Sequence, residues 1–286
     1  MRGRLSVGLV ARGTVAPMKR ASLGRFMVLG FFLTYMLLPL LATVAFSFSV
    51  RWDRTILPEG LTLDWWQAVV ERRAFLLTLR NSLFISVGAM FFSVLLVTPT
   101  AYWAHLRVPQ AKPLIELLTV LPFGIPGVVL ALALLRSYAR LGAAIVYSPW
   151  MLIAACMVLA LPFMYRPVAN ALAALNVRAL TEAAQMLGAS WVTTLTRVIA
   201  PNILSGVLGG ALLVFSTVFV EFTLANLLVG ARFKTFPIYI VEFTRFDARQ
   251  ASALAAISFV VAWLTSLAII WVAGSASRGR ESLGPR

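Results

Sequence analysis

Six stretches of this sequence are apolar over enough residues to cross the hydrocarbon core of a lipid bilayer, which is about 30 Å thick. They occupy residues 26–50, 77–104, 114–135, 149–165, 203–229 and 251–273. Inside lipid the backbone must satisfy its own hydrogen bonds, and an apolar run of this length does so as an α-helix. The composition agrees, because apolar residues make up 60% of the chain and charged residues only 12%. We therefore predict an all-α membrane protein with six transmembrane helices.

Basic residues near the start of the chain predict which side of the membrane each loop occupies. The first 25 residues contain no acid and six basic residues, Arg2, Arg4, Arg12, Lys19, Arg20 and Arg25. Lys and Arg next to a membrane-spanning helix favour the cytoplasmic side. An even number of spans returns the chain to that side, so both termini are predicted to be cytoplasmic. The loop between the fourth and fifth spans, residues 176–201, then lies in the cytoplasm too.

This pattern divides the chain into parts. We predict a basic cytoplasmic tail at residues 1–25, a transmembrane anchor helix at 26–50, a core of five helices at 77–273 that includes loop 176–201, and a second cytoplasmic tail at 274–286. The first span follows a basic region, as a secretory signal does, but it is longer than a signal core of about 7–15 apolar residues. We therefore expect it to be retained.

Loop 176–201 has the local signals of two short helices joined by a turn. Residues 176–187 are mostly good helix formers, and Gly188 suits the left-handed position that ends a helix. Ser190 is a candidate N-cap for the second helix. On that helix one apolar stripe is predicted, at i, i+4 and i+7, from Trp191, Leu195 and Val198.

Other positions complete the prediction for this loop. Thr193, Thr194 and Arg197 fall mostly on faces of the second helix other than the apolar stripe. Pro201 lacks a backbone N–H and is tolerated in a first helical turn, so we expect it to restart the chain into the next span. The prediction is a compact helix-turn-helix at the membrane surface. If the spacing of its residues is set aside, the same loop could equally be an ordinary amphipathic connector that packs on its own protein.

The spacing in this loop is specific. Glu182, Ala183 and Ala184 are followed, after three residues, by Gly188, and nine residues later by Val198-Ile199-Ala200-Pro201. The segment resembles the EAA loop of permease subunits in ATP-binding-cassette (ABC) importers, whose pattern is Glu-Ala-Ala, three residues, Gly, nine residues, Ile-x-Leu-Pro. Here Val198 stands at the isoleucine position and Ala200 at the leucine position.

The resemblance implies a fold and a set of partners. The chain is similar to the transmembrane subunit of a type I, binding-protein-dependent importer of the spermidine/putrescine class, with a coupling helix between helices four and five. The residues that would dock on the ATPase are Glu182, Ala183, Ala184, Gly188, Trp191, Leu195, Val198 and Pro201. The implied partners are an ABC ATPase dimer, a second permease subunit that is identical or a sister chain, an external substrate-binding protein and membrane lipid, with no nucleic acid.

The same resemblance places the protein in the bacterial cytoplasmic (inner) membrane. The chain has no Gly-x-x-x-x-Gly-Lys-Ser/Thr loop, which is the usual cradle for nucleotide phosphates. We therefore expect a non-catalytic subunit that binds no cofactor or metal, with ATP–Mg on the partner ATPase. The substrate expected from the resemblance is a small polar solute of the polyamine, aminoethylphosphonate or ferric-iron class.

Two features within predicted spans are candidates for the translocation pathway. The segment 121–127 interrupts the third span with Pro122 and Pro126 and two glycines. Backbone groups freed in this way are tolerated in a membrane only where protein or a water-filled cavity satisfies them. The alternative is a structural kink that helps helices to pack.

Glu221 is the acid well inside a predicted span, and an ionisable group at that depth is a candidate functional residue. It could line the pathway and contact a cationic or amine-bearing substrate, and Asn226, about one turn later, could share that role. The alternative is an ion pair with an arginine near a helix end, for which the candidates are Arg80, Arg136 and Arg232.

Two other function classes stay open from the residues alone. A secondary transporter could use Glu221 as a proton or sodium site, although no internal repeat of the kind that builds many such transporters is evident. A membrane-embedded enzyme is disfavoured, because the sequence has no evident constellation of metal ligands or of nucleophile and base.

Overall fold

The computed structural model describes residues 23–281 of the chain, with side chains described for residues 24–271. The chain forms two units, with the boundary between Thr43 and Val44. This boundary lies within the first helix, α1, which spans Leu23–Phe48. The mean hydropathy of Gly24–Phe48 is 2.1, and the segment is long enough to cross a membrane.

A small β-hairpin follows α1. Its strands are β1, Ser49–Arg51, and β2, Glu59–Leu61, which pair antiparallel with Ser49 opposite Leu61. The described chain is mostly helical, as predicted, with this small hairpin as an addition that ends the first predicted span at Phe48 instead of residue 50. The sequence did not predict this hairpin, because strands of three residues are too short to show an alternation of apolar and polar residues.

Helices make up most of the rest of the described chain. The longer ones are α2 Asp64–Val70, α3 Arg73–Arg107, α4 Lys112–Val120, α5 Gly127–Tyr138, α7 Pro149–Ala173, α8 Val177–Met186, α11 Leu204–Phe219, α12 Thr223–Leu228, α13 Phe236–Thr244 and α14 Ala248–Glu281. Three short ones are α6 Ala143–Val146, α9 Trp191–Thr193 and α10 Ala200–Asn202.

The centre of the bundle is built by α3, α7 and α11, which pack against one another. Glycines on α11 permit the close approach to α7. A Cβ built at Gly206 would lie 2.7 Å from the backbone oxygen of Pro167, and one at Gly210 would lie 2.9 Å from the sulfur of Met164. Small residues spaced in this way let helix backbones approach each other where lipid gives no hydrophobic drive for packing.

Four continuous helices are long and apolar enough to cross a membrane, and there are up to six spans if each of two bent pairs counts as one. One bent pair is residues 109–124 with 127–141, which meet at 97°. The other is residues 191–202 with 204–219, which meet at 81°. The predicted six spans therefore correspond to four unbroken helices and two interrupted regions.

Two predicted spans have different boundaries in the structure. The fourth span was placed at residues 149–165 with a possible inward extension past Pro167, and α7 does continue to Ala173, through Pro162 and Pro167. Such prolines are tolerated inside a membrane bundle, because neighbouring helices can satisfy the backbone groups that the prolines leave without a partner. The fifth span was predicted as one helix over residues 203–229, but α11 ends at Phe219 and α12 begins at Thr223.

Candidate functional site

The first half of loop 176–201 is a helix with defined ends. Asn176 caps α8, because its side-chain oxygen accepts a hydrogen bond from the N–H of Ala179 at 3.2 Å. Gly188 follows the helix with φ of +80°. Its N–H donates to the oxygen of Gln185 at 2.9 Å, and the N–H of Ala189 donates to the oxygen of Ala184 at 3.0 Å. This pair of bonds is a Schellman motif, so the predicted stop at Gly188 is confirmed as local structure.

The second half begins as predicted and then departs from the prediction. The Ser190 hydroxyl accepts from the N–H of Thr193 at 3.2 Å and caps α9. From Thr194 to Ile199 the chain is a π-helix, in which each hydrogen bond spans five residues. Pro201 lies in the first turn of α10.

The π-helix changes which side chains are buried. Leu195 is 9% exposed, as the predicted stripe required, but Thr194 and Ile199 are each 0% exposed. Trp191 is 39% exposed, and Val198 is only partly buried. The predicted stripe of Trp191, Leu195 and Val198 is therefore only partly buried, with Val198 packed at the edge of the core, because the π-helix departs from the 3.6-residue period of an α-helix.

Two large apolar side chains are exposed on the outward surface of loop 176–201, beside polar residues that include Arg178 and Gln185. Met186 is 88% exposed and Leu187 is 90% exposed. Glu182 is exposed and pairs with Arg178 at 2.9 Å, an exposed contact of the kind that contributes little to stability. Ala183 is also exposed, whereas Ala184 is buried against the bundle. Met186 and Leu187 thus form an apolar tip that the described part of the chain leaves uncovered.

The two interruptions in the membrane helices lie next to each other. Pro122 lies in the turn between α4 and α5, and Pro126 directly precedes α5. α5 packs against α12. A Cβ built at Gly127 would lie 3.4 Å from Cγ2 of Thr223, the first residue of α12. The structure therefore brings the break beside Pro126 close to the break that contains Glu221.

Glu221 has a hydrogen-bond partner that the sequence analysis did not anticipate. It lies between α11 and α12, and its Oε1 accepts from the N–H of Leu224 at 2.8 Å. None of the ion pairs found within residues 24–271 includes Glu221. The predicted alternative of a pairing with Arg80, Arg136 or Arg232 is therefore not formed. Arg232 instead lies over the ring of Tyr147, 4.6 Å from its centroid.

The space around Glu221 is small in this conformation. With Ser82, Cys156 and Thr235, it lines a cavity of about 10 Å³, which is the volume that one water molecule needs. Asn226 is exposed on α12. A solute does not fit beside Glu221 here, so a pathway at this position requires a different arrangement of the helices or a second subunit.

A larger cavity, which sequence reasoning missed, lies at the opposite end of the bundle from loop 176–201. Its volume is about 310 Å³, and its lining includes Arg72, Tyr239, Glu242 and Phe246. Burial raises the pKa of the Tyr239 hydroxyl above its usual range, and within the described residues that hydroxyl has no hydrogen-bond partner. Phe246 is 87% exposed.

Comparisons with known proteins identify the family that this sequence matches. Residues 97–278, more than half of the chain, match the family described as "Binding-protein-dependent transport system inner membrane component". The spermidine/putrescine transport system permease protein PotC of Escherichia coli (strain K12) is 24% identical over 251 residues, which cover 86% of this chain and 92% of that protein. PotB of the same strain, also a spermidine/putrescine transport system permease protein, is 26% identical over 220 residues, with 72% and 79% covered.

The fold also matches a solved structure. A chain of a bacterial ABC transporter involved in the import of the acidic polysaccharide alginate superimposes with a TM-score of 0.68 at 16% identity. The match covers 86% of this chain and 94% of that chain. At this identity the similarity establishes the fold and leaves the substrate undefined.

Proposed function

This chain belongs to the family of binding-protein-dependent transport system inner membrane components, and on that premise we propose that it forms part of the translocation pathway of an ATP-driven importer. It is a multi-pass permease subunit of an ABC importer in the inner membrane.

We propose that loop 176–201 docks on a separate ATPase dimer, which holds ATP–Mg. The observation that carries this proposal is the exposed apolar tip of Met186 and Leu187 beside the Glu182-Ala183-Ala184 triplet. Fully burying an apolar side chain of this size contributes about 1.5–3 kcal/mol, so covering both residues supplies substantial binding energy. Orientation follows, because the ATPase is cytoplasmic: loop 176–201 and both termini face the cytoplasm.

The remaining partners fit the opposite end and the sides of the bundle. An external binding protein would deliver its ligand at the end where the 310 Å³ cavity and the exposed Phe246 lie. A second permease subunit, identical or a sister chain, would complete the pathway. The small space beside Glu221 supports this arrangement, since the cavity there, of about 10 Å³, is too small for a solute.

The substrate we propose is a small polar solute of the polyamine, aminoethylphosphonate or ferric-iron class, with an amine favoured. The relatives are named as spermidine/putrescine permeases. Glu221 supplies a carboxylate that no cationic side chain of residues 24–271 neutralises by an ion pair. A cationic amine is the solute that such a group would attract.

A transport assay separates this proposal from a proton- or sodium-coupled secondary transporter. Cells that express the chain with its ATPase and binding protein are given labelled spermidine. We expect vanadate to abolish uptake, because it traps ATPases of this type, and we expect a protonophore to have little effect while ATP is maintained. Uptake that resists vanadate and is abolished by the protonophore would favour the secondary transporter.

A further inference from the structure

Tyr102 is a buried residue near the end of α3, and its hydroxyl is bonded to loop 176–201. Tyr102 is 0% exposed, and its Oη lies 2.9 Å from Oγ1 of Thr181 on α8. The Thr181 hydroxyl donates its own proton to the backbone oxygen of Val177 at 2.7 Å. A hydroxyl has one proton to donate, so Tyr102 is the donor in the bond with Thr181.

The ring of Tyr102 contacts the second half of the loop as well. Its centroid lies 5.9 Å from that of Trp191, the first residue of α9, with the ring planes tilted by 38°. One side chain of α3 therefore touches both helical segments of loop 176–201. The peptide chain joins this loop directly to α7 and to α10, but α3 is remote from it, since 79 residues separate Tyr102 from Thr181.

The other end of α3 is bonded to the chain beside the break at Glu221. Asn81 donates from Nδ2 to the backbone oxygen of Lys234 at 2.9 Å. Ser82 accepts from the N–H of Phe236 at 2.8 Å. Both side chains are buried. By the rise of an α-helix, Ser82 and Tyr102 lie about 30 Å apart along α3, so one continuous helix carries side-chain bonds at both ends.

We propose that Tyr102 is a positioning residue through which α3 follows loop 176–201 and carries its movement to the segment 234–236 at the opposite end. This inference rests on the proposed function, in which an ATPase moves the loop. The buried pair of hydroxyls fixes the register of α8 on α3, because sliding either helix leaves the buried Tyr102 hydroxyl without a partner, while Thr181 keeps its bond to Val177. An apolar pair of the same shape would pack equally well without fixing that register.

The test measures how a chemical probe at the end of the bundle opposite loop 176–201 responds to nucleotide. The chain's one cysteine, Cys156, is replaced by alanine, and the exposed Ala231 is replaced by cysteine to report on segment 234–236. The chain is purified with its ATPase, and the rate of maleimide labelling at position 231 is measured without nucleotide and after trapping with vanadate and ATP.

We expect trapping to change the labelling rate in the otherwise native chain. Tyr102→Phe keeps the ring and removes the hydroxyl, and losing one buried hydrogen bond should reduce the nucleotide-dependent change by about two- to tenfold. Thr181→Val should do the same, and the double variant should be no worse than either single variant, because both act through one bond. Tyr165→Phe, in a buried tyrosine of α7, is the matched control and should respond like the native chain.

The outcomes separate this inference from the function on which it rests. In Tyr102→Phe the melting temperature should fall only slightly, because the ring still packs and Thr181 keeps its bond to Val177. The amount of co-purified ATPase should be unchanged, so that a folding defect does not explain the loss. If Tyr102→Phe responds to nucleotide as fully as the native chain, or if the native chain does not respond at position 231, this inference is overturned while the proposed function stands. If no ATPase associates with the native chain, both are overturned.

Discussion

Glu221 bonds to the backbone, and we propose that it also contacts the substrate. Its carboxylate accepts from the N–H of Leu224 at 2.8 Å, which satisfies one of the donors left free at the start of α12. The same carboxylate has a second oxygen, so capping the helix leaves capacity for a cation. This arrangement explains how an acid can persist at a break in a membrane helix without an arginine partner.

Replacing Glu221 separates these two roles. In Glu221→Gln the amide oxygen still accepts from Leu224, so we expect the stability to change by less than about 1 kcal/mol. The charge is lost, so uptake of a cationic amine should fall by about tenfold or more, the usual size of a charge-assisted contact. Melting temperature and initial uptake rate measure the two effects.

A control variant removes the cap as well as the charge. Glu221→Ala should lose the same transport and additionally about 1 kcal/mol of stability. If Glu221→Gln transports normally but melts at a lower temperature, Glu221 has only a structural role and the pathway assignment is abandoned.

At the level of elements, the sequence predicted helices where the signals were local. Gly188 and Ser190 were identified because a left-handed turn and an N-cap are each set by a few neighbouring residues. The π-helix at Thr194–Ile199 was not, since nothing in a single sequence distinguishes five-residue hydrogen bonds from the usual four. The bond between Tyr102 and Thr181 was also missed, because it joins distant parts of the chain.

The break in the fifth predicted span was missed for a different reason. Residues 203–229 are apolar throughout except for Glu221 and a few polar side chains, and hydropathy does not reveal a change of helix direction. The interruption near Pro126 was visible, because proline removes a backbone donor. The sequence could not predict that these two breaks lie side by side, because their proximity depends on the packing of α5 against α12.

The contact between α7 and α11 yields a prediction with an internal control. In Gly206→Ala the new Cβ would lie 2.6 Å from Cβ of Ala171 and 2.7 Å from the oxygen of Pro167. The helices must move apart, which we expect to cost about 1–3 kcal/mol. Gly209, on the same helix, has no atom within 4 Å of such a Cβ. Gly209→Ala should therefore leave stability unchanged or raise it by up to about 1 kcal/mol.

Thermal unfolding of the two purified variants in detergent provides the measurement. If α7 and α11 approach closely, Gly206→Ala should have a lower melting temperature than Gly209→Ala. Equal melting temperatures would mean that α7 and α11 do not approach as closely as the structure indicates.

In the described chain from Val44 onward, the helices at the centre of the bundle are more buried than the outer ones, which expose apolar faces. In the most apolar window of α7, 50% of the residues are buried, but in that of α14 only 22% are. Trp263 and Trp271 on α14 are 71% and 72% exposed. A face of this kind suits lipid or a second subunit. These exposed faces, with the apolar tip on loop 176–201, fit the proposal that the chain is one part of a membrane assembly.

The most direct test of the account is whether that tip binds an ATPase. The chain is co-purified in mild detergent with the ATPase encoded beside it, in native form and as Leu187→Glu. Ile56→Glu is the matched control, because Ile56 is 94% exposed and Leu187 is 90% exposed, and Ile56 lies in the hairpin region away from loop 176–201. We expect the native chain and Ile56→Glu to retain the ATPase, and Leu187→Glu to lose it by about tenfold or more. Equal retention by Leu187→Glu, or no ATPase with the native chain, would contradict the account.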